Sequence, residues 1–99
     1  MTDVPSFLTH KAGDYVAVAV RDVSRGPAEV GYLDGADSVT VDVNAEIPLG
    51  HKVALRDITA GEDVIEYGVR TAIASADIKK GDYVHVHNVR SARWQNSVA

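Results

Sequence analysis

Two short stretches hold most of the side chains able to do acid–base or ligand chemistry. One is Gly50-His51-Lys52, which sets an imidazole beside an ammonium; the other is His85-Val86-His87-Asn88, with Arg90 close behind. On an extended strand His85 and His87 project from the same face, about 7 Å apart at a rise of about 3.3 Å per residue. Two imidazoles so placed can hold one divalent ion or bracket an anion; a solvated strand face is the plain alternative. A catalytic metal usually takes three or more protein ligands. A metal at His85 and His87 therefore needs ligands from a second chain. His51 offers a general acid or base and Lys52 a cation, with an ordinary surface turn as the competing reading. The Asn88 amide can hydrogen-bond a carboxylate or hydroxyl. Arg90 and Arg93 can clamp a carboxylate or sulfonate, or simply be solvated, and His10 reads as a surface or structural residue. There is no phosphate loop, dinucleotide fingerprint or nucleophile elbow.

The elements that must position these groups are announced by a repeated phrase: acidic residue, Ile or Val, two variable positions, Gly. Its copies are Asp22-Val23-Ser24-Arg25-Gly26, Glu46-Ile47-Pro48-Leu49-Gly50, Asp57-Ile58-Thr59-Ala60-Gly61 and Asp77-Ile78-Lys79-Lys80-Gly81. In the last three a Val follows three residues after the Gly, at Val53, Val64 and Val84. The phrase predicts a strand-to-strand corner, with the aliphatic residue in the core and Gly in a conformation that would strain a side chain. Both candidate stretches follow directly on such corners.

Between the corners the pattern is that of short strands. Phe7 to Asp14 predicts a short strand entering a turn, and Tyr15 to Arg21 alternates Val with small or polar residues. The alanines there suggest close packing against another layer. Asp34-Gly35 marks the turn of a hairpin joining 29–33 to 38–44, in which Val39, Val41 and Val43 share a face. Further strands are expected at 51–55, 63–67, 71–74 and 83–89, with a helical turn at most over 71–76. Turn signals every ten residues or so point to a small all-β barrel or sandwich.

Ninety-nine residues bound a single domain with one modest core. With 45% apolar and 24% charged residues, a disordered chain is excluded. No apolar run approaches the ~20 residues of a membrane-spanning helix, and residues 1–5 lack the start of a secretory signal. The absence of cysteine excludes disulfides and thiolate chemistry; the cytoplasm is the default, with no membrane partner. A net charge of −4 argues against nucleic acid. Lys79, Lys80, Arg90 and Arg93 nevertheless bias the C-terminal end toward an anionic small molecule or an acidic protein surface.

Taken together, Ile47-Pro48-x-Gly50-His51-Lys52-Val53-Ala54-Leu55-x-Asp57-Ile58-x-x-Gly61-Glu62-x-Val64-Ile65-x-Tyr67-Gly68 and Ile78-x-x-Gly81-x-x-Val84-His85-x-His87-Asn88 resemble the small module of the altronate and galactarate dehydratase family. That module belongs to the SAF superfamily, and the resemblance spans roughly Phe7 to Trp94. It implies an all-β, β-clip fold of short strands with tight Gly corners: one SAF-like domain over 1–99, core about 7–89, with 90–99 as a tail contacting a partner. One departure is that Thr71-Ala72 stands where the family has Ile-Gly.

Within the family, the segments Phe7-Leu8-x-His10-Lys11-x-Gly13-Asp14 and Arg90-Ser91-Ala92-Arg93-Trp94 resemble the separate small subunit of a two-subunit lyase. The implied reaction expels sulfite from (2R)-3-sulfolactate to give pyruvate, with a large beta subunit as partner and no activity from the small subunit alone. The implied cofactor is a divalent metal, Fe2+, held jointly with the large subunit. His51, Lys52, His85 and His87 then carry catalysis, with His85 and His87 on the metal and Lys52, Asn88 and Arg90 on the anionic substrate. Two other readings stay open: a small subunit of an altronate- or galactarate-type dehydratase, and a non-catalytic SAF binding module.

Overall fold

In the computed structural model, which describes residues 5–85 and 87–91, the repeated phrase builds four corners that pair two by two. Val23 and Ile47 exchange both backbone hydrogen bonds at 2.8 Å, and Ile58 and Ile78 do the same at 2.8 Å. The aliphatic residue of each corner is buried, with Ile47, Ile58 and Ile78 each 1% exposed. The acidic head of the phrase serves the partner corner. Asp57 Oδ1 accepts from the Lys80 N–H and Asp77 Oδ1 from the Ala60 N–H, both at 2.9 Å; Asp22 Oδ1 accepts from the Leu49 N–H at 2.8 Å. The closing glycines Gly50, Gly61 and Gly81 adopt φ of 85°, 88° and 93°. Their N–H groups donate to the carbonyls of Ala19, Ala74 and Ala54, so these backbone donors are paired.

Among the described residues nine strands connect the corners: β1 (Phe7–Thr9), β2 (Val16–Ala19), β3 (Gly26–Tyr32), β4 (Val39–Val43), β5 (Lys52–Ala54), β6 (Asp63–Glu66), β7 (Val69–Ala74), β8 (Tyr83–Val84) and β9 (Val89–Ser91). They form a six-stranded sheet in the order β4-β3-β1-β2-β5-β8 and a three-stranded sheet, β6-β7-β9. Every pairing is antiparallel except β1 with β3. The described residues contain no helix, so the fold is all-β as expected.

The core has two parts that share β2 and β5. Ala17, Ala19 and Val53 face a cluster with Phe7, Val30, Val41 and Ile47, whereas Val16 and Ala54 face one with Ile58, Val64, Ile78 and Val84. A strand buried on both faces needs small side chains on at least one, which is the reason for the alanines of β2.

The predicted hairpin is β3–β4, but only Val41 and Val43 of the expected valine face are buried; Val39 is 44% exposed at the free end. The strand expected at 71–74 is the second part of β7, held between β6 and β9, and no helical turn forms over 71–76. The strand expected from Tyr83 to Val89 ends at Val84. Its partner strand β5 pairs Lys52 with Val84 and begins there, because the corner at Gly50 precedes it, so the ladder has nowhere to continue. The chain turns instead, with the Asn88 and Val89 N–H groups donating to the His85 carbonyl at 3.0 and 3.1 Å. Most of the expected partner-contacting tail, 92–99, lies outside the described residues. No described helix is long and apolar enough to cross a membrane.

Candidate active site

Three corners share one backbone bond: the residue after the Gly donates its N–H to the carbonyl three residues earlier. These bonds are His51 to Pro48 at 3.0 Å, Glu62 to Thr59 at 2.9 Å and Asp82 to Lys79 at 2.9 Å. In two of them the side chain of that residue closes a second bond. Glu62 Oε1 accepts from the Thr59 N–H at 2.9 Å, and Asp82 Oδ2 from the Lys79 N–H at 2.8 Å. Pro48 has no N–H to offer. The position after Gly50 is thereby released from holding its corner, and an imidazole stands where the others keep a carboxylate.

His51 and Lys52 line a cleft of about 210 Å³ together with Gly50, His85 and Val89. The cleft lies where the edge strand β8 of the large sheet hands over to β9 of the small one. The His51 and His85 ring centroids are 4.8 Å apart. Tyr83 sits among the imidazoles: its hydroxyl is 2.5 Å from His51 Nδ1, its ring stacks on His85 at 5.6 Å and 13°, and His87 meets it at 5.7 Å and 61°. Lys52 reaches Glu66, with Nζ 2.8 Å from Oε1; the lysine side chain is 40% exposed and the glutamate side chain 4%. The cleft thus offers an anion two imidazoles and a half-exposed ammonium held on a buried carboxylate.

The remaining candidates do not line this cleft. His87 is exposed and touches the Tyr83 ring without lining the cleft. Asn88 is buried, and its amide is taken by the backbone: Oδ1 accepts from the His85 N–H at 3.0 Å and Nδ2 donates to the Tyr83 carbonyl at 2.8 Å. It holds the turn that presents His85, which is a different task from contacting substrate. Arg90 follows Val89 on β9; since Val89 lines the cleft, strand alternation sends the arginine to the other face. His10 is exposed and packs edge-on against Tyr67, centroids 4.1 Å apart. A second cleft, about 280 Å³ between the first two corners, is lined by Asp22, Val23, Ser24, Glu46, Ile47 and Pro48 and offers an anion no cation.

Tyr83 and Glu66 are the site residues that the sequence reading passed over, and both had a signal. Glu66 shares the inward face of β6 with Val64, so period-2 alternation buries a carboxylate that must find a cation. Tyr83 occupies the second place after its Gly, as Lys52 does in its own corner, and β5 and β8 lie side by side. Among the described residues no group of three or more His, Asp or Glu is placed to hold a metal ion. The donors available are imidazoles, which suit a divalent ion of the iron or zinc class. They fit a share of a jointly held metal, not a complete site.

Residues 5–92 match the model of the altronate/galactarate dehydratase SAF domain. The chain is 39% identical over 90 residues to (2R)-sulfolactate sulfo-lyase subunit alpha of Chromohalobacter salexigens, covering 89% of this chain and 96% of that one. It is 44% identical over 50 residues to the subunit alpha of Paracoccus pantotrophus, half of this chain and 75% of that one. Against the altronate dehydratase of Escherichia coli it is 44% identical over 78 residues, 79% of this chain but only 15% of the enzyme. With this match along nearly its whole described length, the chain belongs to the altronate/galactarate dehydratase SAF domain family.

Proposed function

We propose that this chain is the small subunit of a two-subunit, cytoplasmic lyase that removes sulfite from (2R)-3-sulfolactate to leave pyruvate. The observation that carries the reading is the cleft itself: His51, Lys52 and His85 converge on one space that the described residues leave open. Similarity over 96% of a sulfo-lyase subunit alpha supports it. On this reading a large subunit closes the cleft, and substrate is held between the two chains.

Sulfolactate carries a carboxylate, a 2-hydroxyl and a C3 sulfonate. Loss of the C2 proton and of the C3–S bonding pair, which departs with sulfite, leaves enolpyruvate, which ketonises to pyruvate. The transition state gathers negative charge toward the carboxylate, so fixed positive groups aimed there lower the barrier. Lys52 is such a group, because Glu66 fixes its ammonium at the cleft wall. His51 lies beside it, able to donate to or exchange a proton with a substrate oxygen. His85, on the cleft wall, is the residue that would help hold a divalent ion such as Fe2+, with His87 beside the Tyr83 ring just outside the cleft. When bound, that ion would supply Lewis acidity toward the carboxylate and hydroxyl.

A second reading keeps the cleft and changes the leaving group to water. Its support is the 44% identity to altronate dehydratase. The test is to co-purify the chain with its large partner and assay sulfite release from sulfolactate against water loss from altronate and galactarate. Sulfite release that falls at least about 100-fold in His51→Ala or His85→Ala, with assembly intact, supports the proposal. Full activity in both variants rejects the site, and water loss alone moves the chain to the dehydratase reading.

A further inference from the structure

Tyr83 binds no substrate on any of these readings, yet it makes a contact that decides what His51 can do. A neutral imidazole carries one proton on either ring nitrogen, and the bond made by one nitrogen sets the state of the other. Here Nδ1 lies 2.5 Å from the Tyr83 hydroxyl, so Nε2 is the ring nitrogen left for the cleft. Two arrangements satisfy the contact. Either the phenol O–H donates to a bare Nδ1, or an Nδ1–H donates to the phenol oxygen. The first pairs the stronger acid with the stronger base. Phenol ionises near pKa 10, well below a neutral imidazole N–H, while imidazole accepts a proton near pKa 6.5 and a phenol oxygen accepts one far less readily.

The fold holds the two groups at this distance. Tyr83 is opposite Val53 in the β5–β8 ladder, and His51 lies two residues before Val53 on the same strand path. The tyrosine ring packs against the larger core cluster and stacks on His85. The His51 carbonyl is also tied, accepting from the Ala19 N–H at 2.8 Å. Both partners are therefore seated by backbone pairing, and neither side chain can swing away without losing packing.

We propose that Tyr83 is a positioning residue that fixes neutral His51 as the Nε2–H tautomer, making His51 a hydrogen-bond donor to the anionic substrate and not a metal ligand. This assignment rests on the lyase reading for what the donor serves, but not for the tautomer itself. It separates the two imidazoles of the cleft by role. The His51 Nε2 lone pair is occupied by a proton, whereas among the described residues the His85 side chain makes ring contacts with His51 and Tyr83 and no hydrogen bond.

The experiment is nitrogen-15 NMR of the histidine rings in the full chain, at a pH well above imidazole titration, with the four histidines assigned by single His→Gln variants. The expected result is a His51 ring with bare, hydrogen-bonded Nδ1 and protonated Nε2, whose Nδ1 signal moves toward the free-imidazole position in Tyr83→Phe. A protonated Nδ1 in the wild-type chain overturns the inference, and that measurement needs no variant to fold. Spectra unchanged by Tyr83→Phe overturn it as well. In the reconstituted enzyme Tyr83→Phe is expected to lower kcat about 10- to 100-fold with little change in KM, the usual cost of losing an orienting partner. If the tautomer is as stated but His51→Ala keeps full lyase activity, the tautomer assignment stands and the role of His51 as donor to the substrate falls.

Discussion

At 2.8 Å from the Glu66 carboxylate, the Lys52 ammonium loses the freedom that a surface lysine keeps, and the two residues become one unit. A surface ion pair is worth little because water screens it and two long side chains must be ordered. This pair is lopsided: Glu66 is buried at the end of β6 while Lys52 is half-exposed. Removing the lysine leaves a buried carboxylate unpaired, and that penalty falls on Glu66 more than on the lost contact. Lys52→Met is therefore expected to cost about 1–3 kcal/mol by urea unfolding. In a cycle with Glu66→Gln the two should couple by about 1 kcal/mol or more, as contacting charged residues do. Strict additivity would mean that Glu66 does not hold Lys52. The pair also warns against reading activity from Lys52→Met alone, because part of any loss would be structural. Glu66→Gln is the cleaner probe, since it keeps the ammonium and removes only its anchor charge.

The corners explain why the sequence disclosed its elements so readily. Each carries its instructions within five residues: an anchor for the core, an acid for the partner corner, and a glycine. The three glycines are not equivalent, however. A Cβ on Gly81 would lie 2.0 Å from the Asp42 carbonyl oxygen, whereas one on Gly61 would meet nothing within 4 Å. Gly61→Ala pays only for its left-handed backbone, about 1–2 kcal/mol. Gly81→Ala adds a clash with main chain that cannot rotate aside, and should cost at least about 3 kcal/mol by denaturant unfolding. Equal losses at the two sites would show that β4 can yield. What the local pattern could not disclose was the end of β8. Val84-His85-Val86-His87 alternates as a strand does, so the reading placed both imidazoles on one strand face. The deciding facts are distant in sequence: β5 begins at Lys52 and so offers no partner beyond Val84, and Asn88 spends its amide on the turn. The chemistry-bearing residues were legible by type, and His51 even by its place after Pro48 and Gly50. Their grouping around Tyr83 was not, because it depends on which strands lie side by side.

At the scale of the whole molecule, the two sheets must keep a fixed relation if a cleft formed at their junction is to hold its shape. One carboxylate does much of this tying. Asp14, 5% exposed, accepts from the Thr9 hydroxyl at 2.7 Å and the Lys11 N–H at 3.2 Å on the large-sheet side. On the other side it accepts at 3.2 Å from the N–H of Gly68, in the tight turn between β6 and β7. That turn is itself strained, since Tyr67 sits at φ 59°, a conformation that costs a bulky residue about 1–3 kcal/mol unless its surroundings enforce it. Burial works against ionisation of Asp14, but the bonds from Thr9, Lys11, Gly68 and Tyr67 outweigh it and hold the carboxyl below its ordinary 3.8. A depressed folded value means that the ionised group favours the folded state. Its contribution is complete above the ordinary value and drains away as pH falls through the folded one. Asp14→Asn should therefore be less stable than wild type by about 2 kcal/mol at pH 7, with a gap that narrows steadily once pH drops below 3.8. Urea midpoints of both proteins, measured stepwise from pH 7 downward, check this. A gap that stays constant to the acid limit would mean that the shape of Asp14 and not its charge joins the sheets, and the cleft would then owe nothing of its stability to that ionisation.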